Sequence, residues 1–196
     1  MKHFARLRSG IDCAPVLDEI GSLENAWDRA TGRQSKVRVQ REALSIPLRG
    51  RRMSAAGDVP PRDVQESRWT TLSRAFPHTR AFLKTFASAQ DGALGRAKLV
   101  CLPPGHRGYP HIDRGLYYLP RDRYHLILQS PRGSFLRAGD ESVCMAEGEL
   151  WWFDNKQEHE SVNDGDLDRI HLIFDRRPAR STSTTEAVAP SERAAS

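Results

Sequence analysis

Between residues 14 and 30 apolar side chains return at helical spacing: Val16, Leu17, Ile20, Leu23, Trp27 and Ala30. Pro15 suits a first helical turn and Gly32 falls just past the last apolar position, so the spacing predicts one amphipathic helix over 14–30. Residues 37–48 read as a strand, and residues 50–63, rich in Gly, Pro and charge, as a loop. A second helix is predicted from Pro77 to about Ala87, with Phe82, Leu83 and Phe86 inward. Beyond Gly95 the period shortens. RAKLVCL, RYHLILQ, SFLRA, SVCMA, ELWWF, ESVN and RIHLIF follow one another, separated by PPG, SPRG, AGD, EGE and NDGD. Short strands with polar turns predict an all-β sandwich or barrel, with the helices packed outside it. No internal repeat is visible. The small, polar residues 178–196 predict a disordered tail, leaving one domain over 1–177: support in 1–94 and the β core in 95–177.

Length and composition narrow this little further. A chain of 196 residues that is 38% hydrophobic can bury one substantial core. No apolar run approaches the roughly 20 residues of a membrane helix, and the basic N-terminus lacks the apolar core of a signal peptide, so neither is expected. Cys13, Cys101 and Cys144 form no CxxC and cannot all pair, which points to a reducing, cytoplasmic setting. The net charge of +5 is unevenly placed: residues 29–52 hold eight Lys/Arg against one Glu, and residues 139–168 ten Asp/Glu against Lys156. A basic patch serves carboxylates as well as phosphates. Without an RNP-like, zinc-finger or helix-turn-helix signature beside it, nucleic acid is not an expected partner.

The chemistry concentrates in GYPHIDRGLYYLPRDRYHLIL, residues 108–128. His111 and Asp113 are spaced to point to one side of an extended segment and so to share an ion. A third ligand must come from elsewhere, and FDNKQEHES offers His159. Two His and one carboxylate form the facial triad of non-haem Fe(II) oxygenases, and no Cys in either motif favours a softer metal. Arg169, ten residues past His159 at the start of a strand, could hold a dicarboxylate in fork-to-fork geometry. Arg123 and His125 alternate on one face of RYHLIL, and His171 shares the face of Arg169. Buried cations need counter-charges, which a bound dicarboxylate and a carboxylate substrate would supply.

LPPGHRGYPHID, RDRYHLIL, GELWWFDNKQEHESVND and DRIHLIF together resemble the aspartyl/asparaginyl β-hydroxylase family over roughly residues 95–175. The resemblance implies a mainly β, double-stranded β-helix of the jelly-roll or cupin type with flanking N-terminal helices. It implies a hydroxylase using Fe(II), 2-oxoglutarate and O2. His111, Asp113 and His159 then hold the metal, and Arg169 the far carboxylate of 2-oxoglutarate. Arg123 and His125 match positions that contact cosubstrate or substrate, with Arg123 and His171 as substrate candidates. Animal members carry glycine where Asp113 stands, so the chain is similar to bacterial members with a full triad. They also carry a serine where Val100 stands. The implied substrate is an amino acid, a peptidyl residue or another carboxylate-bearing small molecule.

Blander readings compete. His111 and Asp113 alone would suit a surface turn, His159 a solvated strand end, His171 a satisfied core histidine. Trp151 and Trp152 read as core or barrel rim, and the arginines of 49–52 as surface. A cupin-type metalloenzyme without 2-oxoglutarate, or a non-catalytic β-barrel sensor of a small acid, would use the same ligands. The spacing of Arg169 argues against the first, and an open-sided triad against the second.

Overall fold

The computed structural model describes residues 1–28, 41–51, 67–89 and 91–179. Among the described residues, eleven strands form two antiparallel sheets. The larger sheet comprises β1 (Phe4–Arg8), β2 (Leu44–Gly50), β3 (Arg68–Trp69), β4 (Gly92–Leu102), β6 (Asp122–Gln129), β9 (Leu150–Phe153) and β11 (Arg169–Pro178), in the order β1-β9-β6-β11-β4-β2-β3. The smaller comprises β5 (His106–His111), β7 (Ser134–Ala138), β8 (Glu141–Val143) and β10 (His159–Asn163), in the order β5-β10-β7-β8. This is the expected double-stranded β-helix.

The larger sheet is covered on both faces, which explains the unbroken Leu126-Ile127-Leu128 run. Leu126 and Leu128 face an outer core with Leu83, Leu99, Leu172 and Phe174, whereas Ile127 joins Phe4, Leu136, Trp151 and Phe153 between the sheets. The outer core is sealed by α1 (Ala14–Gly21) and α2 (Pro77–Ala89). Buried Glu19 of α1 reaches across to α2, accepting the backbone N–H groups of His78 (2.5 Å) and Thr79 (3.1 Å) and the Thr79 hydroxyl (2.6 Å). It thereby satisfies donors that a helix start leaves orphaned.

Several expectations are corrected. The first helix stops at Gly21, and the chain continues as turns to Asp28 with Asn25 in a left-handed backbone (φ 52°). Leu23 and Trp27 still pack on the core, so their spacing is met by turns instead of helix. Residues 29–40 and 52–66, with part of the predicted first strand and most of the predicted loop, lie outside the described residues, as does the tail from 180. Arg49 is no surface residue. It donates to the carbonyls of Gly95 (3.0 Å), Ser67 (2.6 Å) and Leu94 (3.2 Å) and lies over Trp69, tying three strands together. β1 and β5 escaped the sequence reading because neither shows apolar alternation; no residue of β5 is fully buried, and only Phe4 of β1 is.

Candidate metal centre

The smaller sheet brings the two histidines together. His111 closes β5 and His159 opens β10, and the two are direct cross-strand partners with ring centroids 4.2 Å apart. The His111 Nδ1 lies 2.7 Å from the Tyr109 carbonyl oxygen and the His159 Nδ1 3.0 Å from that of Gln157. A carbonyl only accepts, so each Nδ1 carries a proton, which in the neutral ring leaves Nε2 as the ligating atom. Such an outer bond fixes the tautomer a metal-binding imidazole needs. Asp113 lies just past β5, its backbone N–H bonded to the Asn155 carbonyl (3.1 Å), and its carboxylate lies 3.9 Å from His159 Nε2. Each of the three offers a ligand atom within 4.8 Å of the others, the one such cluster among the described residues. Donor set, tautomers and spacing fit a divalent iron.

Electrostatics agree. Burial alone would raise the Asp113 carboxyl, but the Arg123 guanidinium and the Asn155 amide hold it below its usual range. Burial, and then the neighbouring His111, push His159 down to about 4, so it is neutral and able to ligate near pH 7.

The larger sheet supplies the opposite wall. Lys98, Val100, Arg123, His125, Phe153, Arg169 and Ile173 line a narrow cavity of about 70 Å³ together with His111 and His159. Arg169 is 3% exposed and, among the described residues, its guanidinium has no hydrogen-bond or salt-bridge partner. Burial lowers it to about 10, so it remains a cation near neutrality. An unpaired buried charge is costly unless an anion joins it. His125 and His171 are buried side by side, Nδ1 to Nδ1 at 3.2 Å, and desolvation followed by Arg169 holds both far below the usual histidine range. They are neutral. The His171 Nε2 has no partner among the described residues, and His171 does not reach the cavity lining.

One sequence expectation needs correcting. The counter-charges of Arg123 are already present in the chain: its guanidinium donates to Asp175 (Nε 2.8 Å, Nη2 3.2 Å) and, through Nη1, to Asp113. The sequence reading missed Asp175 and Asn155. Asp175 shares strand parity with Arg169, His171 and Ile173, the one signal that could have placed it inward. A larger apolar groove of about 660 Å³ lies on the other side of the sheet between α2 and β1, but Arg8 is its one formally charged lining residue.

A jelly-roll carrying two histidines and an aspartate beside a buried, unpaired arginine defines the class of the non-haem Fe(II) oxygenases. The Aspartyl/Asparaginyl beta-hydroxylase family model matches residues 54–178, more than half of the sequence, and the chain belongs to that family of 2-oxoglutarate-dependent oxygenases. No curated protein matches the sequence. Among solved structures the fold is similar to HygX from Streptomyces hygroscopicus with nickel and 2-oxoglutarate bound (13% identity, TM-score 0.55, 91% of this chain and 84% of that one). It is also similar to AviO1 from Streptomyces viridochromogenes Tue57 (14% identity, TM-score 0.53, 91% and 90%). A third is the viral collagen prolyl hydroxylase of Paramecium Bursaria Chlorella virus-1 (10% identity, TM-score 0.50, 89% and 96%).

Proposed function

We propose that the chain hydroxylates an amino acid, a peptidyl residue or another carboxylate-bearing small molecule, with His111, Asp113 and His159 holding Fe(II). Arg169 takes the far carboxylate of 2-oxoglutarate in a bidentate pair, and neutral His125 presents a polar ring edge to the same cavity. The observation that carries this reading is Arg169 itself: a buried guanidinium that lines the cavity of the metal cluster without a carboxylate of its own. When bound, the iron with 2-oxoglutarate and O2 supplies the oxidising power that places oxygen on a substrate carbon, leaving succinate and CO2. The protein contributes orientation and electrostatics. Arg123 is neutralised by Asp175 and Asp113, so Arg169 gives this wall a positive charge without a chain carboxylate against it, which suits an anionic cosubstrate. Val100, Leu136, Phe153 and Ile173 exclude water and strengthen the ion pair. The cavity is narrow, so the substrate sits toward its mouth and presents one C–H bond inward.

Anaerobic addition of Fe(II) and 2-oxoglutarate to the apo-protein tests the reading, with a visible metal-to-ligand charge-transfer band as the expected result. Bound iron without that band would overturn it. With O2, a panel of amino acids, peptides and small acids scored by succinate release above the substrate-free rate identifies the substrate class.

A further inference from the structure

Arg123 stands between two buried acids, one of which belongs to the metal cluster. On one side Asp175, 1% exposed, takes its Nε and Nη2 in a two-point pair at 2.8 and 3.2 Å. On the other, Nη1 donates to the same Asp113 oxygen that accepts the Asn155 side-chain amide at 2.9 Å. Asp175 is fixed in turn, for its second oxygen accepts the Tyr117 hydroxyl at 3.1 Å. Tyr117 can come that close because residue 95 is glycine: a Cβ there would lie 2.6 Å from the phenolic oxygen. Arg123 and Asp175 are also cross-strand partners on β6 and β11, so the pair is held by sheet register.

We propose that Arg123 is a positioning residue that acts through Asp113, holding its carboxylate toward the metal while Asp175 anchors the guanidinium from behind. The inference rests on the metal site proposed above. It departs from the expectation that Arg123 grips cosubstrate or substrate, because Nε, Nη1 and Nη2 are each engaged by chain carboxylates. Asp113 lies outside regular strand and has one backbone hydrogen bond, to Asn155, so the direction of its side chain depends on Arg123 and the Asn155 amide. Outer partners of this kind typically contribute about 10- to 100-fold in metal affinity. The Arg123–Asp175 pair is compact and buried, and lysine, a point charge, cannot span both acids as the planar fork does.

The test measures Mn(II) affinity of apo-protein by titration, and 2-oxoglutarate affinity at saturating metal, in wild type, Arg123→Gln, Asp113→Ala and the double variant. Arg123→Gln is expected to weaken Mn(II) about 10- to 100-fold and to leave 2-oxoglutarate binding at saturating metal within about 3-fold of wild type, a difference under about 0.7 kcal/mol. In the Asp113→Ala background the same change should add no more than about 2-fold, as expected of residues acting as one unit. Asp175→Asn should reproduce part of the loss, and Arg123→Lys should restore part of it. An additive loss in the double variant, or lost 2-oxoglutarate binding with intact Mn(II) affinity, overturns the clamp. Unchanged Mn(II) affinity in Asp113→Ala would overturn the metal-site reading instead, so the two failures are distinguishable. Should Arg123→Gln fail to fold, Asn155→Ala, which removes the other side-chain donor to Asp113, is expected to weaken Mn(II) in the same direction. An unchanged value there would count against the clamp.

Discussion

At the scale of single residues, the unpaired guanidinium of Arg169 makes the sharpest prediction. Truncating one partner of a desolvated charge pair costs about 2–5 kcal/mol. Arg169→Leu should therefore weaken 2-oxoglutarate binding by roughly 30-fold to several thousand-fold, while Mn(II) affinity stays near wild type. An unchanged cosubstrate dissociation constant would make Arg169 structural. Arg169→Lys should recover part of the affinity. The cysteines give an independent check. Cys13 and Cys101 are buried and Cys144 is exposed; burial, then Asp168, pushes Cys101 up to about 12. The thiolate is the nucleophile, so mass spectrometry should show iodoacetamide on Cys144 alone in the native protein at pH 8, and on all three after unfolding. Three labels in the native state would contradict the packing. His111, Asp113, His159 and Arg169 could be picked out of the sequence because scarce chemistry at fixed spacing stands out in one dimension. The partners of Arg123 could not, since strand register brings Asp175 to it and a loop brings Asp113, and nothing in DRR or HID announces either pairing.

At the scale of elements, the strands after Gly95 were readable because each is an apolar run closed by a turn signal. The predicted helix over 14–30 overran because turns can also return Leu23 and Trp27 to the core at similar spacing. The contact between α1 and α2 had no sequence signature either: Glu19 looks like a solvated acid in APVLDEIG, yet it caps a helix dozens of residues later. Replacing a side-chain cap by alanine costs about 0.5–2 kcal/mol. Glu19→Ala should lower the unfolding free energy by about that amount in urea titration with metal affinity unchanged, since the cap lies with the outer core. A change below about 0.3 kcal/mol would mean that water replaces the carboxylate without loss.

Across the whole molecule the larger sheet separates two cores with different duties. Leu83 belongs to the helix-covered side, and Leu136 to the space between the sheets, where it also lines the cavity. Each leucine-to-alanine change should cost about 2–5 kcal/mol. With no shared partners the two should add within about 0.5 kcal/mol in denaturant titrations of the single and double variants. Leu136→Ala alone should also alter 2-oxoglutarate affinity; an equal effect from Leu83→Ala would show that the sheet transmits strain between its faces. The position of β1 has another consequence. It pairs with β9, Phe4 opposite Phe153, so β1 finds this partner only after most of the other strands have been made. A ribosome adding about 5–20 residues per second makes β9 roughly 7–30 s after β1. Throughout that interval β1 waits without this neighbour, and Trp151 and Trp152 meet Arg6 and Ala5 only once β9 itself has been made. Synthesis therefore separates by seconds two strands that the sheet places side by side.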